Sequence, residues 1–413
     1  MTGVVLLQGS ALAVQSLLAV LARKRFEADG LQTLIITSAP TVFFVFSIFW
    51  GDFFERRSIP RFLTVYWLVA CLPLAFAGLA TSAWMLIIPQ VIACIGGSGY
   101  YPVAGEFLRR LYPERTRGRI FSLLWGAMMI CVALASYALG ESLKRSPDAF
   151  RWCLPLAVGL QLVGVVALGW LAHVTGISAS RTLREDHAGL QRIKRSLDPI
   201  LHMGTVLKQD PIFARYEAAY MTYGIGWMVC AALLPFLVTD KLHLEYDQIA
   251  AGTQVSYNIA IVAMIVPAGW VMDRLGAVRT ASISFAMLAL YPVGLMLAGN
   301  AHELTIVSAV YGVAHVGASL AWTLGPVALA PTPAKVPHYV AIHATLVGLR
   351  GTIFQGLGVL LYKLTGGFAA PMILGAVAFV WSAVQMWTLH ARMGSTRGPA
   401  AGGAGVPAAE AEP

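Results

Sequence analysis

Twelve apolar segments make up most of this 413-residue chain, and they limit the folds that it can adopt. Each is long enough, or nearly so, to cross a hydrocarbon core of ~30 Å as a helix. A helix also satisfies its own backbone polar groups where water is absent. We therefore predict an all-α integral membrane protein with twelve transmembrane helices, over residues 3–22, 31–50, 62–80, 83–108, 119–140, 152–174, 212–238, 248–271, 279–298, 303–330, 339–362 and 368–391.

The composition supports a membrane protein independently. Hydrophobic residues make up 58% of the chain and charged residues 12%, whereas soluble domains have about 45–50% and about 25%. The net charge of +9 is better explained by arginines in loops that follow membrane topology than by nucleic-acid binding. All five cysteines fall in or beside apolar segments, which indicates neither a disulfide framework nor a zinc site. We predict no nucleic-acid partner, no metal and no other cofactor.

One pattern of residues at fixed spacing occurs twice, and its two copies are 218 residues apart. A glycine is followed by an acid four residues later, an arginine at five, a small residue at seven and an arginine at ten. Each copy ends one apolar segment and precedes the next, so we expect its acid in a loop. This pattern indicates a duplicated membrane bundle, which is typical of transporters. The copies are Gly51, Glu55, Arg56, Ser58 and Arg61, then Gly269, Asp273, Arg274, Gly276 and Arg279.

The repeated pattern resembles the signature loop of the major facilitator superfamily of membrane transporters, Gly-x-x-x-Asp-Arg-x-Gly followed by basic residues. The second copy fits well, whereas the first has Glu55 for the aspartate and Ser58 for the second glycine. The resemblance in layout covers roughly residues 1–392. It implies two pseudo-symmetric six-helix halves that rock about a central site. It also implies that the first, fourth, seventh and tenth helices line the cavity.

The polar stretch 176–210 divides the chain into an N-terminal six-helix half, 1–175, and a C-terminal six-helix half, 211–392. This cytoplasmic linker is either partly a helix on the inner leaflet or a solvated connection. Residues 393–413 are rich in small residues, glycine and proline, which predicts a disordered C-terminal tail.

Basic residues predict the orientation. With a cytoplasmic N-terminus, the inner loops and tail hold 19 of them and the outer loops 8. We therefore expect a multi-pass protein of the bacterial inner (plasma) membrane with both termini cytoplasmic. The basic run Arg23, Lys24 and Arg25 is a local exception to this rule.

Arg350 is the main candidate for a substrate-binding residue. It lies twelve residues into segment eleven, ~18 Å along the helix and near mid-membrane. His343 is seven residues earlier, on nearly the same face. Arginine presents a planar fork that suits carboxylate or phosphate, so we interpret Arg350 as an anion site. A structural role remains open, in which Arg350 bonds helix carbonyls or pairs with Glu217.

Other polar and aromatic side chains are candidates for the wall of a cavity. Segments seven and ten each carry them on one helix face, which is typical of a cavity lining but also of a helix interface. His315 and His343 are candidates to carry a coupling proton. The predicted substrate-binding set, besides Arg350 and His343, is His315, Tyr311, Trp322, Tyr220, Tyr223, Trp227, Asn258, Gln15, Gln90 and Tyr101.

A second set of residues is predicted to gate the cytoplasmic side. Glu106, paired with Arg56 or Arg110, is interpreted as a hinge brace. The two acids of the repeat are interpreted as contacts to helix N-termini of the opposite half, where negative charge is favoured. The predicted gating set is Gly51, Glu55, Arg56, Gly269, Asp273, Arg274, Glu106 and Arg110.

These features predict a secondary active transporter that moves a small polar or anionic solute by alternating access. Two alternatives stay open: efflux of amphipathic compounds, or a non-transporting membrane receptor or assembly protein with a transporter fold. No catalytic constellation occurs, so we do not expect an enzyme. The expected partners are a small-molecule substrate and the lipid bilayer, with protons as a candidate coupling ion, and we expect a monomer.

Overall fold

The computed structural model describes residues 2–56, 58–100, 111, 114–176, 202–332 and 335–396. Within these residues the regular secondary structure is helical and no strand occurs. Nine helical stretches of the described chain are long and apolar enough to cross a membrane, and two shorter apolar helices accompany them. The prediction of an all-α, multi-pass membrane protein is therefore confirmed.

The helices are numbered in chain order, and the 52-residue stretch Tyr246–Leu297 is divided at Gly276. The number of membrane crossings stays a prediction. The labels are α1 Val5–Phe26, α2 Gly30–Phe46, α3 Ile59–Ala77, α4 Ala83–Gly97, α5 Glu114–Arg145, α6 Phe150–Val174, α7 Pro211–Lys241, α8 246–275, α9 277–297, α10 Ala301–Leu329, α11 Val336–Thr365 and α12 Ala369–Thr396. A short helix, Met203–Gln209, precedes α7.

Short polar side chains begin three of these helices by accepting hydrogen bonds from otherwise unpaired backbone amides. Asp29 begins α2 and forms a reciprocal capping box with Gln32. Asp210 begins α7, where Pro211 at the first helical position has no amide to satisfy. Asn300 begins α10 by accepting from the amide of Glu303. These caps fix where the apolar helices start.

The acids of the repeated pattern lie in helices, so the prediction that they lie in loops is wrong. The helix Ser47–Arg56 continues α2 and contains Glu55. Asp273 lies in the last turn of α8, before the break at Gly276, which has φ 73° and ψ 170°. Charged residues do not by themselves end a helix. The stretch Ser47–Arg56 holds no proline, and α8 continues through Pro267 to Asp273 without a break in its backbone. Both helices therefore continue beyond their apolar parts.

The helices form an N-terminal half, α1–α6, and a C-terminal half, α7–α12, which pack against each other. Between the halves, α2 contacts α11, α5 contacts the start of α8, and α7 contacts α1 and α2. At Gly351 of α11, an added Cβ would lie 2.5 Å from Oγ1 of Thr41 on α2. Glycine is therefore required at this position for the close approach of the two halves.

The bundle has two ends, which we name by their residues. The end where α1 finishes with Arg23, Lys24 and Arg25 is called the RKR end. The opposite end carries the two copies of the repeated pattern and is called the motif end. The interior of the C-terminal half holds large buried rings, which pack where α7 faces the other helices of this half and lie beside the candidate site. These rings belong to Phe213, Tyr216, Tyr220, Phe285 and Phe379.

Candidate functional site

The aromatic face of α7 forms the base of the candidate site. Tyr216, Tyr220, Tyr223 and Trp227 are three or four residues apart, which places their side chains on one side of the helix. The Tyr216 hydroxyl donates to the Ala321 carbonyl at 2.7 Å, and the Tyr220 hydroxyl donates to the Ala318 carbonyl at 3.0 Å, both on α10. These bonds satisfy two buried hydroxyls and fix α7 against α10.

Three ionisable side chains lie together on this face and are almost fully buried: Glu217 is 2% exposed, His343 3% and Arg350 3%. We call them the arginine cluster. His343 Nδ1–H donates to Glu217 and lies 2.8 Å from each carboxylate oxygen. Arg350 Nη1 donates to the backbone carbonyl of Tyr220 at 2.7 Å. Trp322 closes the cluster, with its ring centroid 5.2 Å from that of His343.

The Arg350 side chain lies against the backbone of α7 at Gly224. A Cβ at Gly224 would be 2.4 Å from Cδ of Arg350, so this position needs glycine. The guanidinium also faces Tyr223, with Cζ 5.6 Å from the ring centroid. Among the described residues its one hydrogen bond is to the Tyr220 carbonyl, and Nε is buried without a partner. Arg350 is therefore a buried cation with unused donors.

The structure distinguishes between the two structural roles that the sequence left open for Arg350. The bond to a helix carbonyl is present. A direct pair with Glu217 is not, because the Glu217 oxygens accept from His343 instead. The His343 Nε2 atom is also buried without a described partner. Arg350 and His343 thus each keep a buried nitrogen atom without a described partner.

A second group of predicted residues forms an adjoining aromatic cluster around His315. Trp227 Nε1 donates to the Tyr311 hydroxyl at 2.7 Å. A 2.7 Å hydrogen bond joins the Tyr257 hydroxyl to His315 Nδ1, and the Tyr311 and His315 rings stack at 4.9 Å. The rings of Tyr223 and Trp227 stack at 6.4 Å, which connects this cluster to the arginine cluster. Eight of the predicted binding residues therefore form one continuous interior region.

Sequence reasoning missed Tyr257, which lies on α8 and holds His315. Its signal in the sequence was weak, because a tyrosine beside the polar Asn258 reads as an ordinary interface residue. Tyr291 on α9 was also missed, although its ring stacks on Tyr311 at 4.1 Å. Both tyrosines belong to helices that the family resemblance did not assign to the cavity.

Four other predicted binding residues are not joined to these clusters by any contact described in the structure. Asn258 donates to the carbonyl of Gln254 on its own helix at 2.6 Å. Gln90 is buried and its Oε1 has no described partner. Gln15 on α1 is partly exposed. Tyr101 lies outside the described residues.

The predicted gating residues are described only in part. Gly269, Asp273 and Arg274 lie near the end of α8, where the Arg274 guanidinium stacks 3.7 Å from the Trp270 ring centroid and Asp273 is exposed. Gly51, Glu55 and Arg56 are helical, but their side chains lie outside the described part. Glu106 and Arg110 lie outside it entirely. The roles of these eight residues stay predictions.

A two-half helical bundle that encloses polar and charged side chains in its interior has the architecture of a membrane transporter. The chain belongs to the Major Facilitator Superfamily, whose model matches residues 3–253. It is 23% identical over 345 residues to the Multidrug resistance protein MdtH of Baumannia cicadellinicola subsp. Homalodisca coagulata, covering 79% of this chain and 74% of that protein.

Solved transporters share the fold at low sequence identity. A POT family transporter in complex with 5-aminolevulinic acid matches with a TM-score of 0.74 and 14% identity, covering 95% of this chain and 96% of that chain. A peptide transporter POT in complex with sulfate matches with a TM-score of 0.76 and 11% identity, over 95% and 94%. A mutant of the nucleoside transporter NupG matches with a TM-score of 0.69 and 13% identity, over 94% and 98%. The protein is a transporter of this superfamily.

Proposed function

We propose that this transporter carries a small anionic or polar solute and that Arg350 is the counter-charge of the solute. One observation carries the proposal: Arg350 is 3% exposed and bonds only a backbone carbonyl among the described residues. A charge in such surroundings is costly unless it is paired. A carboxylate or phosphate group would fit the planar fork and use its free donors.

The neighbouring side chains support a site of defined shape. Tyr220 and Tyr223 on α7, with Trp322 on α10, flank the guanidinium and the His343 ring. Aromatic walls exclude water, and charge interactions strengthen where water is excluded. Trp227, Tyr311 and His315 would extend the site along the same interior region. The predicted residues Gln15, Gln90 and Asn258 would contribute only after a rearrangement of the helices, and the role of Tyr101 stays a prediction.

Proton coupling follows from the charges of the arginine cluster. With neutral His343, the charges of Glu217 and Arg350 cancel. A bound anion would add one negative charge, and a proton on the Glu217–His343 pair would restore the balance. Two ligands of opposite charge that bind close together favour each other's binding, and this coupling is reciprocal. We therefore propose proton–anion symport, with the proton on this pair.

Alternating access supplies the transport cycle. We propose that the halves 1–175 and 211–392 rock about the site and that the 176–210 linker allows the movement. The gating set at the motif end would hold that end shut in one state. We further propose a monomer in the bacterial inner membrane, with both termini cytoplasmic as the basic residues predict.

A second candidate function is efflux of amphipathic compounds. The similarity to a multidrug resistance protein favours it, and so do the stacked rings around His315. Aromatic surfaces bind flat apolar molecules and organic cations. Anion transport is favoured here because the buried charge with unused donors is an arginine, which repels cations.

A ligand screen followed by transport tests both candidates. Purified protein is heated with small carboxylates, phosphate and sulfate, neutral polar solutes, and amphipathic cations. A solute that binds the folded state raises the melting temperature, by mass action. Stabilisation by anions, followed by their uptake into proteoliposomes, is expected. Stabilisation by amphipathic cations alone, followed by their transport in proteoliposomes, would support the efflux function instead. Ligand binding without transport of any solute would indicate a receptor.

A further inference from the structure

A polar surface pocket of about 560 Å³ lies at the RKR end, apart from the arginine cluster. Its described lining belongs entirely to the N-terminal half: the end of α1, the start of α2, the turn between α3 and α4, and the start of α6. The charged residues of this lining are Arg25 and Glu27 from the end of α1 and Arg151 from α6. A pocket of this volume has room for a small polar group.

The two arginines of the pocket share one carboxylate. Arg25 donates to an Asp148 oxygen at 3.0 Å, and Arg151 Nε lies 3.6 Å from the same oxygen. One carboxylate cannot neutralise two guanidinium groups, so this side of the pocket keeps an excess positive charge. Each guanidinium has five N–H donors, and most of them are not used by Asp148. Such donors suit the oxygens of a phosphate group.

Glu27 supplies the opposite charge in the same pocket. It is exposed and has no ion pair within the described part of the chain. Its backbone is left-handed, with φ 50° and ψ 38°, where it ends α1 by donating its amide to the Ala22 carbonyl. Glycine or asparagine is usual at such a helix end, and residues held in this conformation cluster at functional sites. A cationic group bound in the pocket would account for a glutamate here.

Two exposed apolar stripes lead from the pocket along α4 and α6. Each stripe consists of side chains four residues apart, which share a helix face. Both stripes begin with a tryptophan near the start of the helix, and tryptophan is enriched where a membrane meets water. The stripes are Trp84, Ile88 and Ile92 on α4, and Trp152, Leu156 and Leu160 on α6. The pocket therefore lies where lipid headgroups meet acyl chains.

We propose that this pocket binds the headgroup of an aminophospholipid, and we call it the headgroup site. The lipid phosphate accepts hydrogen bonds from Arg25 and Arg151, and the lipid ammonium group donates to Glu27. The acyl chains lie along the two apolar stripes. A headgroup with a phosphate alone would leave the Glu27 carboxylate without a partner, so the pair of charges favours a zwitterion. The headgroup site does not depend on the transported solute.

Nearby charges at the RKR end provide matched controls. Arg145 is exposed and pairs with Glu141 on the same helix at 2.9 Å, but it does not line the pocket. Arg145→Gln therefore removes the same charge as Arg151→Gln. Glu303→Gln is the corresponding control for Glu27→Gln, because Glu303 is an exposed acid of the C-terminal half.

Thr81→Glu adds an independent variant that alters neither arginine. Thr81 is exposed and lines the pocket, and its hydroxyl donates only to the Met85 sulfur among the described residues. A glutamate at this position places a carboxylate beside the proposed phosphate. This variant should lose lipid binding while every ion pair of the pocket stays intact.

Native mass spectrometry of the full-length protein in detergent tests the headgroup site. The protein is titrated separately with phosphatidylethanolamine and phosphatidylglycerol, and the former should bind more tightly. Arg151→Gln and Thr81→Glu should weaken binding of both lipids roughly fivefold, since exposed charge pairs have modest strength. Glu27→Gln should weaken binding of phosphatidylethanolamine by a similar factor and leave that of phosphatidylglycerol unaltered. Both controls should bind each lipid as the wild-type protein does.

Competition with phosphoethanolamine distinguishes a lipid from a soluble phosphate compound. Without acyl chains it should not displace the lipid at equal concentration. Displacement at that concentration would make the pocket a site for a soluble ligand and overturn the proposal. Equal effects of Arg151→Gln and Arg145→Gln would overturn it too, and so would equal binding of the two lipids by the wild-type protein. A Glu27→Gln variant that keeps the lipid preference of the wild-type protein would contradict the ammonium contact.

Discussion

The Glu217 carboxylate lies in the same cluster as Arg350, but it accepts its hydrogen bonds from His343. Its two oxygens accept from His343, seven residues before Arg350 on the same face of α11. The guanidinium is left with a backbone carbonyl on α7 as its described partner. One carboxylate therefore neutralises the cluster overall while the donors of the arginine stay available. At the scale of single residues, this arrangement would separate the proposed solute site from the proposed proton site.

His343→Gln tests the proton site. Glutamine can still bond Glu217 but cannot become a cation, so anion binding loses its linked proton. In wild-type protein, the affinity for the anion should rise as the pH is lowered, and binding should take up a proton from a weakly buffered solution. The variant should bind the anion with little dependence on pH. The charged or titratable groups that face the pair are Arg350 from α11 and Tyr216 and Tyr220 from α7.

The control for this prediction is His302→Gln, an exposed histidine at the start of α10. It should keep the pH dependence of the wild-type protein. Proton uptake that persists undiminished in His343→Gln would contradict the assignment of the proton to this pair, while leaving the role of Arg350 intact.

At the scale of helices, the two copies of the repeated pattern have different residues at a position where their backbone conformations also differ. Gly276 has φ 73° and ψ 170°, a conformation that is open to glycine alone. Ser58 is seven residues after the first glycine in the other copy and has φ −64° and ψ 145°. Any residue adopts that extended conformation. Ser58, which stands where the family pattern has glycine, is therefore tolerated, because the backbone at this position has a different conformation from that at Gly276.

Gly276→Ser should destabilise the protein, because serine in this region of the backbone costs about 1–3 kcal/mol. The melting temperature should fall by a few degrees. Ser58→Gly should change it little, since glycine adopts the extended conformation without strain. A Gly276→Ser variant as stable as the wild-type protein would show that the α8–α9 joint relaxes to another conformation.

The sequence predicted the helices better than their ends and partners. Apolar runs of about twenty residues are a strong signal, because every backbone group in a membrane must be satisfied within the helix. The helical position of Asp273 was not predicted, since the break depends on the φ angle of Gly276. The choice of His343 as the partner of Glu217 was not predictable either. Spacing along one helix shows which face a residue shares, but not which side chain of another helix it meets.

At the scale of the whole molecule, the rocking of two halves requires contacts that form and break at both ends. At the RKR end, three ion pairs join the halves: Arg23–Asp240, Lys24–Glu245 and Lys144–Asp247. The acids of the repeated pattern are predicted to serve the motif end. Asp273 is exposed at the end of α8 and does not belong to the packed interior.

Replacing Asp273 or Glu55 with alanine should slow transport without unfolding the protein. A loss of about 1 kcal/mol of gating interaction corresponds to roughly fivefold slower uptake. The melting temperature of Asp273→Ala should stay close to that of the wild-type protein, because Asp273 is exposed and contributes little to packing. Glu303→Gln removes an exposed negative charge at the RKR end but keeps an oxygen that can accept from the Gly299 amide, so it serves as the control for charge alone. Wild-type uptake in both gating variants would contradict their role.

The central claim is that Arg350 holds the solute, and two variants test it most directly. The melting temperature without solute and the affinity for the most stabilising anion are measured on Arg350→Lys and Arg350→Ala. A point charge in place of a planar fork should weaken binding tenfold or more in Arg350→Lys. Arg350→Ala should not bind the anion, yet both variants should remain folded. A large fall in melting temperature without solute, together with anion affinity that is retained, would contradict the claim and make Arg350 a structural residue.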